Sequence, residues 1–167
     1  NDSTYGYDVR RTWAGERSAA ATTIRASVIH GPKFPDPDCD MGEHTMRYRI
    51  LPGATRADAL RHAWDVNLPT TRLTGARAVA PLVDVTGRGV VVQTVKLAED
   101  RSGDVVVRLY ESDGGRTRAS IRADFEHVGV AVTDLLEEPT GEAAPVVDGA
   151  VELELRPFQI VTLRYAR

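Results

Sequence analysis

The sequence predicts an all-β protein: antiparallel β-sandwiches with one short helix. Three observations carry this. Short runs of strict apolar–polar alternation fill the second half of the chain, glycine-containing turns separate them, and only one stretch shows helical spacing. Residues 117–125 show the alternation best. Thr117, Ala119, Ile121, Ala123 and Phe125 share one side, and Arg118, Ser120, Arg122 and Asp124 the other.

Along the chain, residues 23–29 set Ile24, Ala26 and Val28 against Arg25 and Ser27, which predicts a half-buried strand. Residues 31–42 read as a loop, because Pro32, Pro35 and Pro37 oppose regular structure. Residues 45–51 alternate again, with Met46, Tyr48 and Ile50 on one side, and predict a second strand closed by Pro52 and Gly53. Thr55 then offers an N-cap and Asp58 an acid in the first turn. Ala57, Leu60 and Trp64 fall on one helical face, and Pro69 stops the helix. Residues 69–80 read as a linker.

Beyond it, strands are expected at 90–95, 105–110, 117–125, 128–135, 151–155 and 160–165. Asp113-Gly114-Gly115 is a tight hairpin signal, since glycine takes positive φ without steric cost. Roughly six or seven short strands at this spacing argue for an antiparallel sandwich. Two units follow, residues 1–75 and 76–167.

Composition narrows the function classes. The 167 residues are 42% hydrophobic and 27% charged, as in an ordinary globular protein. A net charge of −3 gives no electrostatic footprint for nucleic acid. No apolar run reaches membrane-spanning length. Lys33 and Lys96 are the only lysines among 21 basic residues, a bias that points to a GC-rich bacterial genome. Cys39 is alone, so no internal disulfide forms and the compartment stays open.

Several sites can be weighed. Asp36, Asp38 and Asp40 begin like a calcium loop, but the sixth and twelfth positions are Met41 and Arg47, where glycine and glutamate are needed. His30, Cys39 and His44 lack the paired spacing of a structural zinc site. Glycosidases need two facing carboxylates. Asp36, Asp38, Asp40, Glu43, Glu137 and Glu138 supply acids, yet nothing in their spacing makes any two face a sugar. No serine sits in a G-x-S-x-G elbow. Tyr5, Tyr7, Trp13 and Phe34 are aromatics in loop-like sequence, able to stack on a sugar or to pack on a neighbouring sheet.

Particular stretches carry a family likeness. Residues 105–115 (VVVRLYESDGG), 116–125, 134–139 (DLLEEP) and 155–163 (LRPFQIVTL) resemble the C-terminal end of glycoside hydrolase family 38, the α-mannosidases. Residues 1–9 (NDSTYGYDV) and 32–48 (PKFPDPDCDMGEHTMRY) resemble segments from the same part of those enzymes, in the same order. The resemblance implies that the chain is a piece of a longer enzyme. Its catalytic barrel would lie upstream and hold the nucleophile, the general acid and the zinc ion with its His and Asp ligands. The parent reaction would be hydrolysis of α-mannosides with retention, through a covalent glycosyl-enzyme intermediate.

On that basis this chain has no catalytic residue, metal ligand or cofactor of its own. Its partners would be the barrel, upstream β-sandwich strands and, through the parent, an α-mannoside. Residues 1–75 would be the incomplete end of a large β-sandwich domain, and residues 76–167 a terminal small β-sandwich. The resemblance also places residues 1–8 and 36–44 toward the barrel mouth, making Tyr5, Tyr7, Asp40, Glu43 and His44 a candidate substrate-pocket edge. The rival classes are a stand-alone carbohydrate-binding module and a protein-interaction module. The first would show a row of exposed aromatics, yet within residues 151–165 the only Tyr or Trp is Tyr165. The second would show a large apolar patch.

Overall fold

The computed structural model describes residues 6–14, 19–29, 31–68, 70–72, 74–75 and 78–167, and only the backbone of residues 6, 12–14 and 19–21. Tyr5, His30 and Pro69 lie outside the described residues. The chain forms two compact units, Asn1–Thr71 and Arg72–Arg167. Strands dominate, and the described residues hold one helix. The fold is all-β, as the alternation predicts.

The first unit contains an antiparallel pair, β1 (Gly6–Ala14) and β2 (Ala19–Ser27). Its register sets Tyr7 opposite Ala26 and Val9 opposite Ile24. Period two then collects these four on one face and puts Asp8 and Arg25 on the other. There the Arg25 guanidinium donates to both carboxylate oxygens of Asp8, with Nε–Oδ1 at 2.9 Å. Helix α1 (Arg56–Asn67) starts where expected. The Thr55 hydroxyl accepts from Asp58 N–H at 3.2 Å, and the Asp58 carboxylate accepts from Thr55 N–H at 3.1 Å. This reciprocal cap satisfies two otherwise orphaned donors.

Residues 45–51 form no strand. Alternation prepares a face, but a strand needs a neighbour to share its ladder, and the described residues offer none. Met46, Tyr48 and Ile50 are consequently exposed. Among the described residues of this unit, none is buried.

The second unit is a two-sheet sandwich. Its strands are β3 (Val83–Thr86), β4 (Val90–Leu97), β5 (Val105–Glu111), β6 (Thr117–Ala123), β7 (Gly129–Thr133), β8 (Val146–Val147), β9 (Ala150–Leu155) and β10 (Ile160–Ala166). One sheet runs β4-β5-β10-β7 and the other β3-β6-β9-β8, with all pairings antiparallel. Val107 and Leu109 from β5, Leu163 and Tyr165 from β10, Ile121 from β6 and Leu155 from β9 meet between the sheets. A bulge between Val92 and Thr94 shifts the register of β4. One extra residue resets the alternation, so Val92 and Val95 both fall on the inward side.

One end of this sandwich is tied by the Glu111 carboxylate, which is 1% exposed. It accepts from the backbone N–H groups of Asp113 and Gly114, both at 2.8 Å, and of Phe158 at 2.9 Å. The turn at Asp113–Gly115 is not the expected hairpin, because β5 and β6 lie in different sheets; this crossover and the β9–β10 turn are held together on one anion. Gly114 has φ of 76°, and a Cβ there would lie 2.7 Å from the Phe158 ring. Gly114 therefore meets both a conformational and a packing requirement.

Across the outward face of the β4-β5-β10-β7 sheet, two loops are pinned by charge. Glu137 accepts from Lys96 Nζ at 2.7 Å and from Glu99 N–H at 2.8 Å. Arg164 bonds Asp104 at 2.7 Å and Asp100 at 2.6 Å. The Phe158 N–H, ahead of the other donors, holds the Glu111 carboxyl below its ordinary range. Lys96 does so for Glu137 and Arg164 for Asp104. The Ser102 N–H, with Arg164, brings Asp100 to about 2.

These features generate three predictions. Gly114→Val should destabilise by at least about 1–2 kcal/mol from left-handed strain alone, whereas Arg118→Ala on the solvated sheet face should stay within about 0.5 kcal/mol. Denaturant titration of both variants checks this, and Phe158→Ala should recover part of the Gly114 loss by removing the ring. Residues 72–167 expressed alone should unfold in one cooperative calorimetric transition, since among the described residues the buried ones all lie in this unit. Acid should act in a defined window. These carboxyls are depressed in the folded chain, so the folded state favours their charged forms. That stabilisation is full above about pH 5 and drains away as pH falls through the folded-state values, down to about 2 at Asp100. Melting temperature measured from pH 7 to pH 2 should therefore fall chiefly below pH 4–5, roughly.

Candidate functional site

The candidate pocket edge divides between two elements. Tyr7 sits on β1, 68% exposed, on the apolar face it shares with Val9 and Ile24. Asp40, Glu43 and His44 belong to the proline loop. Tyr5 and the side chain of Trp13 lie outside the described residues.

The loop is closed by its own polar groups. Asp40 adopts φ of 62°, a conformation that Asp tolerates better than most side chains. Its carboxylate accepts from Gly31 N–H at 3.0 Å, clasping the segment between them. His44 Nε2 lies 2.9 Å from the Asp40 carbonyl. A carbonyl only accepts, so Nε2 carries the proton and Nδ1 of the neutral ring remains an acceptor. The Asp36 carboxylate accepts from Asp38 N–H at 3.0 Å, and Met41 N–H reaches the Asp38 carbonyl at 3.1 Å. Phe34 stands 87% exposed within this closed segment. Asp40 and His44 are thus brought together, with Glu43 exposed between them in sequence.

Each acid has a distinct use. Asp36 and Asp40 spend an oxygen on the loop's backbone, whereas the Glu43 side chain is exposed and can accept hydroxyl hydrogen bonds. Among the described residues, no group of three or more His, Cys, Asp or Glu side chains could hold a metal ion. Glu137 and Glu138, weighed above as facing acids, part company: Glu137 is buried against Lys96, and Glu138 is exposed.

The buried carboxylates of Glu111 and Glu137 were not legible as such in the sequence. Both stand at strand or turn ends, and the partners that complete their burial, Phe158 N–H for Glu111 and Lys96 for Glu137, are distant in sequence. Tyr165 also gains a setting that its strand position alone did not give. It packs edge-on against Phe125 and His127 at 5.4 and 5.0 Å, and burial pushes its hydroxyl up to about 12.

Comparison with known proteins agrees with this architecture. The family model described as glycosyl hydrolases family 38 C-terminal beta sandwich domain matches residues 89–163, most of the second unit. Alpha-mannosidase 2C1 of Mus musculus is 29% identical over 98% of the chain and 16% of its own length. Alpha-mannosidase G of Dictyostelium discoideum is 25% identical over 99% of the chain and 15% of its own length. An alpha-mannosidase of Saccharomyces cerevisiae is 26% identical over 98% of the chain and 17% of its own length. The chain therefore spans about one sixth of the length of these relatives, with its likeness to them running through both units. Residues 89–163 thus match the C-terminal beta sandwich domain of glycosyl hydrolases family 38, and the whole chain is similar to part of these alpha-mannosidases.

Proposed function

We propose that this chain is a non-catalytic part of an α-mannosidase that hydrolyses terminal α-D-mannosyl residues with retention. The observation that carries the reading is the end-to-end likeness to three proteins named alpha-mannosidase. In this reading the second unit is the terminal small β-sandwich. The first unit is the end of a larger β-sandwich whose other strands lie elsewhere in the enzyme. Support comes from its exposed face of Tyr7, Val9 and Ile24, which a solvated two-stranded ribbon would not favour. The nucleophile, general acid and zinc ion belong to the parent's barrel. In this reading no step of the reaction runs through this chain's own residues.

The loop at 36–44 is the proposed contribution to the substrate pocket. Its closure by Asp40 lowers the entropy lost on binding, and Glu43 and His44 present acceptors to sugar hydroxyls. Asp40 acts through the loop's shape, since one of its oxygens is committed to Gly31.

Kinetics on the full-length parent test this. Glu43→Ala should lower kcat/KM by roughly 10–150-fold, equivalent to about 1.5–3 kcal/mol for a hydrogen bond to a charged group, and His44→Ala by roughly 2–10-fold, as for a neutral acceptor at about 0.5–1.5 kcal/mol. Their melting temperatures should hold, whereas Asp40→Ala should lower activity and melting temperature together. The isolated chain should not cleave aryl α-mannosides with or without added zinc. Turnover by the purified chain, abolished by loss of Glu43 or Asp40, would overturn the non-catalytic assignment. Unchanged kinetics in all three parent variants would remove the loop from the pocket.

A further inference from the structure

The DLLEEP stretch, residues 134–139, is left without a role by the reading above. In the structure it is a turn held at nearly every polar group. Asp134 N–H donates to the Glu138 carbonyl at 3.0 Å, and Glu137 N–H to the Asp134 carbonyl at 3.2 Å. The Asp134 carboxylate accepts from Leu136 N–H at 2.8 Å and Glu138 N–H at 3.0 Å. Arg108 donates to the Leu135 carbonyl at 3.0 Å. Glu137, with φ of 70°, buries its side chain against Lys96 and the Glu99 N–H. Left-handed backbone at a non-glycine residue persists only where its surroundings enforce it.

The outcome is two adjacent leucines held toward solvent, Leu135 at 60% and Leu136 at 81% exposure. A rigid display of large apolar side chains loses little entropy on burial, which is the property of an interface anchor. The turn does not need these side chains to hold its own shape, because its bonds come from backbone, Asp134, Glu137 and Arg108.

We propose that Leu135 and Leu136 form a docking knob that enters an apolar pocket on the parent enzyme outside this chain. This rests on the reading that the chain is part of a longer α-mannosidase. Two observations choose that occupant. The relatives, matched over nearly all of this chain, are about six times longer than it, so on this reading most of the polypeptide available for contact lies beyond this segment. Glu138 is exposed two residues past Leu136, so the pocket's rim should carry arginine or lysine.

The test compares Leu135→Ser/Leu136→Ser in two settings, the full-length parent and the 167-residue chain, with Val128→Ser as a control at another exposed apolar site. The parent should lose at least about 2–4 °C of melting temperature, and the chain should stay within about 1–2 °C. Limited proteolysis should release the C-terminal part of the variant parent several-fold faster. Val128→Ser should change neither. Equal losses in chain and parent would overturn the proposal by making the leucines part of the turn's own packing. No loss in either would overturn it outright. A dimer of the chain by light scattering that the double substitution dissolves would replace the proposed occupant with a second copy. A parent that melts as expected but cleaves no α-mannoside would refute the proposed function and leave the docking knob standing.

Discussion

The sandwich of the second unit depends on one buried anion. An ionised carboxylate taken from water must find donors, and Glu111 finds them in the backbone of two separate turns. That requirement ties elements far apart in sequence, because residue 111 ends β5 and residue 158 precedes β10. β5 and β10 are also neighbours in the sheet, with Ile160 opposite Tyr110 and Leu163 opposite Val107. The bond at the strand ends and the ladder between the strands therefore fix the same register. A one-residue slip would turn Leu163 and Tyr165 outward and pull Phe158 N–H away from the carboxylate.

What the sequence makes legible is what depends on near neighbours. The inward row of β6 follows from period two alone, and the turn at Gly114 from the absence of a side chain. The cap of α1 is a four-residue affair between Thr55 and Asp58. What stays hidden depends on distant partners. Residues 45–51 have the alternation of a strand and no ladder to join. β3 and β8 are too short for alternation to stand out, and exist because β6 and β9 offer open edges. The candidate site divides in the same way. The loop is plain from its prolines, but the clasp of Asp40 on Gly31 needs a left-handed residue that no spacing announces.

The two sheets of the terminal unit meet their surroundings differently. On the β3-β6-β9-β8 sheet the outward residues alternate in charge: Arg118 lies opposite Glu154, with the ion pair at 2.9 Å, and Asp84 opposite Arg122. Such a face is content in water and its exposed pairs contribute little to stability. On the other sheet, Val106 and Thr162 point outward yet are buried. Val106 lies opposite Lys96 and Arg164 in the ladder, whose long stems shield apolar surface while their charges reach the flanking loops. This sheet thus has a third, thin layer of ion-paired loops.

That layer explains how an acidic, polar surface can still present apolar contact. Two loops laid on a sheet would slide if held by dispersion alone, since apolar contact has no direction. Glu137 and Arg164 supply direction, each making bonds to more than one partner from a position shielded by its surroundings. Once the loops are fixed from beneath, their outward side chains are released from any duty to the fold. Residues in that position can be selected for what lies beyond the chain. The first unit reaches the same condition differently: Tyr7, Val9 and Ile24 stand exposed on a two-stranded ribbon. Within one chain, then, exposed apolar surface has two distinct settings, one face of a two-stranded ribbon at Tyr7 and Ile24 and a turn fixed by its own polar bonds at Leu135 and Leu136.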